Sequence, residues 1–231
     1  MIELILGRSA SGKSSYLYQK AAHCQDVCLL VPEQESMETE RMLQERFGDR
    51  VQVLSFHRLC DALQRKYGGC ARQRLGQVAK TAMLYRAVDA VRPRLKFYRK
   101  SAGMLSFYEK IEPVMDDFAA YGAVGEQILP LLEDRPQYGK YHDLFLIYES
   151  YKALSARQYR DHFDDLDSAA RALQAHDFFA GKTVMIDGFV GFTAQEYKIL
   201  EHIFLQSENV FVTFTAHPDD RLFHVVTAHV R

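Results

Sequence analysis

Nowhere in the 231 residues do eighteen apolar residues run together, so no segment reads as a membrane-spanning helix. The chain opens without a basic stretch leading into an apolar one, and no secretory leader is expected before the first strand. Cysteine is scarce. The four present, Cys24, Cys28, Cys60 and Cys70, form no C-x-x-C pair, which argues against a disulfide framework. Cys24 and Cys28 are close enough in sequence to share a metal, but the other two are distant. Buried free thiols in a reducing cytosol are the expectation, and with them a cytoplasmic protein. There is no internal repeat and no low-complexity segment. Net charge is nearly absent as well, at −1. What remains is a 48% hydrophobic chain, long enough for one large domain or for one domain carrying an insert.

The most informative stretch present is Gly7-Arg8-Ser9-Ala10-Ser11-Gly12-Lys13-Ser14, a complete G-x-x-x-x-G-K-[ST] loop. It follows the apolar run Ile2 to Leu6 and precedes a helix-compatible stretch from Ser14 to His23. Strand, tight turn and helix start are the context in which such a loop cradles phosphate. Glycines let backbone N–H groups curl around oxygens, and the helix start adds partial positive charge. Lys13 then reaches the β- and γ-phosphates of ATP, and the Ser14 hydroxyl ligates Mg²⁺.

The near-zero net charge conceals a strong asymmetry. Residues 58–110 hold 13 basic and 3 acidic residues, whereas residues 111–177 hold 6 basic and 13 acidic. A block of net +10 beside a nucleotide loop suits a polyanion partner. A solvated helical face paired against the acidic block satisfies the same count.

Elements alternate cleanly at the start. Strand 2–6, helix 13–24, strand Val27 to Val31, helix 34–47 and strand Val51 to Ser55 follow in turn. The strands are short, apolar and β-branched, which suits a parallel sheet buried on both faces. From about Arg58 to about Ala180 the strand signal disappears. Apolar residues recur there at i, i+3, i+4 and i+7, as in Ala79, Met83, Leu84 and Ala87 or in Leu144, Ile147, Tyr148 and Tyr151. Strand character returns at Thr183 to Asp187, then a helix from Thr193 to Leu205 and a strand from Asn209 to Phe214. The expected fold is α/β: a P-loop NTPase (RecA-like) parallel sheet of about five strands, built from 1–57 and 181–231, with an all-helical insert at 58–180. Phe223 to Arg231 reads as the start of another element, so the chain is expected to be an N-terminal fragment of a longer protein.

A second carboxylate normally completes a P-loop site, on an Asp ending an apolar strand, and in many enzymes a Glu follows to activate water. Val184-Met185-Ile186-Asp187 supplies the strand and the Asp. Gly188 stands where the Glu would be, and Glu196 reads as a surface helix residue. The expectation is Mg-ATP binding with slow or no hydrolysis, and no catalytic residue is assigned. Asp187 could alternatively cap the turn before the next helix.

Three of these segments resemble UvrD-like superfamily 1 helicases: the Gly7–Ser14 loop, Ser55-Phe56-His57-Arg58-Leu59-Cys60, and Ile186-Asp187-Gly188-Phe189 with the helix after it. Together with Leu30-Val31-Pro32-Glu33-Gln34 and Phe192-Thr193-x-Gln195-Glu196, the whole set resembles the AddB family, one of the two subunits of a bacterial ATP-dependent helicase/nuclease. The resemblance implies a heterodimer with an AddA-like motor subunit acting at double-strand DNA ends, in resection for recombinational repair. It also implies a nuclease domain with an iron–sulfur cluster far downstream, so the four cysteines here have no part in that cluster. In this family the surface at the strand ends lies along the single-strand path. Gln34 and Ser36 after the second strand, Phe56 and Arg58 after the third, and Phe189 and Phe192 after the fourth are the expected DNA contacts, by stacking and by phosphate pairing. The same residues could instead be core or cap positions. Two other classes stay open on the residues alone: a small-molecule kinase with a helical lid, and a scaffold with a vestigial loop.

Overall fold

The computed structural model describes residues 1–68, 73, 74, 76–156, 159, 160 and 162–215. Cys70, the stretch Phe223 to Arg231 and the core segment past residue 215 lie outside the described residues. By compactness the chain divides into two units, one of residues 1–69 with 165–231 and one of residues 70–164.

The first unit carries a five-stranded sheet in the order β1 (Ile2–Gly7), β7 (Asn209–Thr215), β6 (Thr183–Ile186), β2 (Val27–Leu30) and β3 (Val51–Leu54), with every neighbouring pair parallel. The pattern of the sequence explains the placement. β2 and β6 are buried at every residue and sit inside the sheet, while β1 alternates in exposure and lies at its edge. Helices α1 (Lys13–Ala21) and α2 (Glu33–Phe47) pack on it. Leu17, Ala21 and Leu43 join Leu29, Val31, Met185 and Phe211 in one apolar cluster. Each fully buried leucine of this kind contributes roughly 1.5–3 kcal/mol. Helix α3 (Phe56–Tyr67) starts on a Ser55 cap, whose side chain accepts from the Arg58 N–H. It meets α8 (His162–Ala175) through Gln64 Nε2 donating to Asp165 Oδ1 at 3.1 Å, and its Tyr67 ring stacks on His176 at 4.1 Å. Helix α9 (Ala194–Gln206) opens on a capping box of Thr193 and Glu196. The helical insert is expected at 58–180, whereas compactness groups α3, and α8 from Asp165 onward, with the sheet.

The second unit is built from α4 (Gln77–Val91), α5 (Leu105–Ala120), the single turn α6 (Gly125–Ile128) and α7 (Tyr138–Ser155). Their apolar stripes meet in a core that includes Leu84, Val88, Ile111, Phe145 and Tyr148. The expected absence of strands fails at one point. Two two-residue strands, β4 (Gln73–Arg74) and β5 (Tyr159–Arg160), pair in parallel where the chain enters and leaves the unit. Runs this short leave no alternating pattern to read. Asp143 is fully buried, and its carboxylate accepts from the N–H groups of Lys96, Phe97 and Tyr98 at 2.7 to 3.1 Å. Cys24 and Cys28 are free thiols, and Cys60 is buried. Burial pushes the Cys28 thiol up to about 12.

Candidate functional site

The carboxyl ends of parallel strands gather the site residues on one edge of the sheet. Gly7 closes β1, and the loop after it turns sharply, with Ala10 at φ 58° and Gly12 at φ 86°. That second angle is the left-handed region, which glycine adopts without the Cβ clash. Gly7 is needed for a different reason. A Cβ there would stand 2.5 Å from Ser11 Oγ. Arg8, Ser9, Ala10, Ser11 and Gly12 are exposed, and Gly12 is the N-cap of α1. Lys13 Nζ donates to the carbonyls of Gly7 at 3.0 Å and Arg8 at 2.7 Å, so the amine lies over the loop itself. Ser14, half-buried, is the second residue of the helix.

Asp187 follows β6 and is buried. Its N–H donates to Leu30 O of β2 at 3.0 Å, and its Oδ1 accepts from Thr213 Oγ1 of β7. It therefore does not cap α9; Thr193 does. Glu196 is equally committed, since its carboxylate accepts from the Thr193 N–H at 2.7 Å. On α1, Tyr18 lies one turn beyond Ser14 on the same face. Its phenol is pushed up to about 12 by partial burial first, then by the negative charges of Asp187 and Glu35. Among the described residues no cluster of three His, Cys, Asp or Glu side chains is arranged to hold a metal ion. Ser14 and Asp187 each bring an oxygen-bearing side chain to the carboxyl-end edge of the sheet.

Comparison with known families decides the ancestry. The family model described as ADDB, N-terminal, matches residues 4–227.

The chain belongs to the AddB N-terminal family.

It is 31% identical over 230 residues to the B subunit of the ATP-dependent helicase/deoxyribonuclease of Caldanaerobacter subterraneus subsp. tengcongensis, covering 94% of this chain and 20% of that protein. It is 30% identical over 228 residues to the protein of the same name from Clostridium tetani, covering 92% of this chain and 20% of that protein. The chain therefore spans about a fifth of the length of the curated relatives it matches.

Within this AddB-family region the residues expected along a DNA path are sorted by burial. Gln34 is exposed in the first turn of α2, and Phe189 and Phe192 are half-buried on the turn after β6. Phe56 is buried beneath them, its ring edge-on to Phe189 at 5.6 Å and to Phe192 at 6.2 Å. Ser36 is buried, and its hydroxyl donates to Glu33 O at 2.9 Å. Arg58 makes a bidentate pair with Glu40, both contacts at 2.8 Å. Sequence reasoning brought these six to one edge but missed Glu40, whose carboxylate occupies the guanidinium, and Glu35, which lies against Gly188. The only signal for either was its position in the first two turns of α2, where acidic residues are common for dipole reasons alone. Among the described residues no helix is long and apolar enough to cross a membrane.

Proposed function

We propose that this chain is the nucleotide-binding, helicase-like region of the B subunit of an ATP-dependent helicase/deoxyribonuclease. It adopts a P-loop NTPase core and takes ATP with Mg²⁺ at the Gly7–Ser14 loop. The supporting observation is one arrangement: a glycine-turned loop leading from a strand into a helix, on the same sheet edge as the buried Asp187. In this reading loop N–H groups and Lys13 hold phosphate oxygens, Ser14 ligates Mg²⁺, and Asp187 orders its water shell. Bound Mg²⁺ neutralises phosphate charge. Alone the chain hydrolyses ATP weakly or not at all, because Gly188 brings no carboxylate and an arginine finger, typically worth about 10³–10⁵ in rate, is left to a second motor domain.

The partner in this reading is an AddA-like helicase/nuclease subunit in the cytoplasm, and the shared substrate is DNA at double-strand ends, processed for homologous recombination. Gln34, Phe189 and Phe192 offer a single strand polar and stacking contacts, while Phe56 supports the two rings from below. Ser36 and Arg58 keep the local backbone and α2 in place for that contact. The second unit adds a separate basic surface. Lys80 pairs with Glu112 and Asp116. The ion pairs among the described residues leave out Arg92, Arg94, Lys96, Arg99 and Lys100, all exposed, with Phe97 60% exposed between them. Such a segment suits phosphate backbone contact.

The test is calorimetry of ATP binding in the full-length protein with Mg²⁺, wild type against Lys13→Ala. Loss of binding in the variant is expected. Equal affinity would remove the loop from the site and leave the scaffold reading. Turnover of a small phosphate acceptor, with no affinity for single-stranded DNA, would favour the kinase.

A further inference from the structure

Gly188 stands where many P-loop enzymes carry a carboxylate, and its surroundings are unusual for a simple loss. Its φ is +81°, and a Cβ built on it would stand 2.8 Å from Glu35 Oε2 and 3.1 Å from Pro32 Cδ. The space in which a side chain at 188 would begin already holds a carboxylate, brought from another strand's end. The topology explains how. β2 and β6 are neighbours in register, Leu30 opposite Ile186. Asp187 is tied to β2 through its N–H on Leu30 O, and the chain leaving β2 turns at Pro32 into α2. Glu35 sits in the first turn of that helix, its own N–H donating to Pro32 O at 3.0 Å. Its side chain is therefore delivered across the strand boundary to the residue after Asp187.

Three further observations bear on what this carboxylate does. Glu35 is exposed, so it is open to solvent and to a ligand on the sheet edge. Among the described residues no hydrogen bond or ion pair engages its carboxylate, whereas Glu40 on the same helix is taken up by Arg58. Its charge is felt at Tyr18 together with that of Asp187, and Tyr18 shares its helix face with Ser14. Glu196, the other acidic residue after Asp187, is fixed in the α9 capping box.

We infer that Glu35 supplies, from the first turn of α2, the carboxylate missing at position 188, and that it acts with Asp187 on the water shell of a nucleotide-bound Mg²⁺. The inference rests on the nucleotide reading above. Position 188 is then glycine because any side chain would displace Glu35. On this inference the weak hydrolysis proposed for the chain alone traces to the arginine finger, and the carboxylate that Gly188 lacks is replaced rather than lost.

The experiment is calorimetry of ATP binding to the full-length protein, once with Mg²⁺ and once with EDTA, for wild type, Glu35→Gln, Gly188→Ala and Lys13→Ala. Wild type should bind more tightly with Mg²⁺. Glu35→Gln should reduce that Mg²⁺ enhancement by about tenfold or more, the range typical of groups that orient a metal's ligands, and leave the EDTA affinity unchanged. Gly188→Ala keeps the carboxylate but pushes it aside, so it should lower the enhancement in the same direction. Thermal unfolding of Glu35→Gln should match wild type, which a purely helix-stabilising role would not predict. Full Mg²⁺ enhancement in Glu35→Gln, with Lys13→Ala still impaired, overturns this inference and leaves the nucleotide site standing. Absence of ATP binding in wild type overturns both.

Discussion

Both units of this protein bury aspartates, and one from each, Asp143 and Asp187, are used differently. Asp143 in the helical unit is fully buried and accepts from three consecutive backbone N–H groups. Both of its oxygens are engaged, so it fixes the course of residues 96–98, with the His142 imidazole 3.6 Å from Oδ1. Asp187 in the sheet unit is buried as well, yet among the described residues only its Oδ1 is engaged, by the Thr213 hydroxyl. It also stands at a strand end beside a glycine-turned loop. Burial alone therefore does not mark a functional carboxylate. The distinction lies in how much acceptor capacity the fold consumes and in which end of which element holds the group.

That contrast is open to direct attack, and the largest effect is expected at Asp143. Asp143→Ala leaves three backbone donors buried without an acceptor, and unfolding in urea should show a loss of about 3 kcal/mol or more. ATP affinity of the folded protein should not change. Asp187→Asn should give the opposite profile. The amide still accepts from Thr213, so stability moves little, while Mg²⁺-dependent ATP affinity falls about 10–100-fold by calorimetry. If Asp187→Asn instead unfolds the protein and keeps its affinity, the two aspartates are of one kind. Gly188→Glu sharpens the same point. The new side chain meets Glu35 and Pro32 at a left-handed φ, so steady-state turnover should not rise.

Smaller effects test the surface pairs. Phe189→Ala, assayed in the full complex, should weaken single-strand binding by about 1–3 kcal/mol. Arg58→Ala should affect DNA less and cost roughly 0.2–1 kcal/mol of stability, since its pair with Glu40 is partly exposed. The pair also predicts a pH dependence. The Arg58 guanidinium holds the Glu40 carboxyl below its ordinary 4.5. Its contribution is thus present in full above that value and lost as pH falls through the lowered one. Acid unfolding profiles of wild type and Arg58→Ala should converge at the acid end.

Much of the sheet unit is legible in the residues alone. The helices expected at 34–47 and 193–205 are found at Glu33–Phe47 and Ala194–Gln206, because Pro32 and Gly48 bound the first and the Thr193–Glu196 capping box opens the second. Strand order is not legible. Nothing local tells β1 that it lies beside β7, the last described strand, since that pairing is decided by which faces remain to be buried. The allegiance of α3 and α8 is not legible for a similar reason. Amphipathic spacing shows that a helix has a buried face but not what covers it. At the site, glycines and Lys13 announced themselves by motif. The Arg58–Glu40 pair and the approach of Glu35 to Gly188 did not, because each joins side chains brought together only by the packing of neighbouring strands.

The Asp143 clamp has one more consequence. It grips main-chain N–H groups only, so the side chains of Lys96, Phe97 and Tyr98 take no part in the lock. The shape of the segment is thereby uncoupled from its chemistry. Short of proline, which would delete a donor, the exposed positions 96 and 97 can be rewritten without changing the frame that displays them, whereas Tyr98 packs against the core of its unit. Evolution can retune the charge and aromatic character of that surface residue by residue, and so can an engineer who wishes to graft a different recognition sequence onto it.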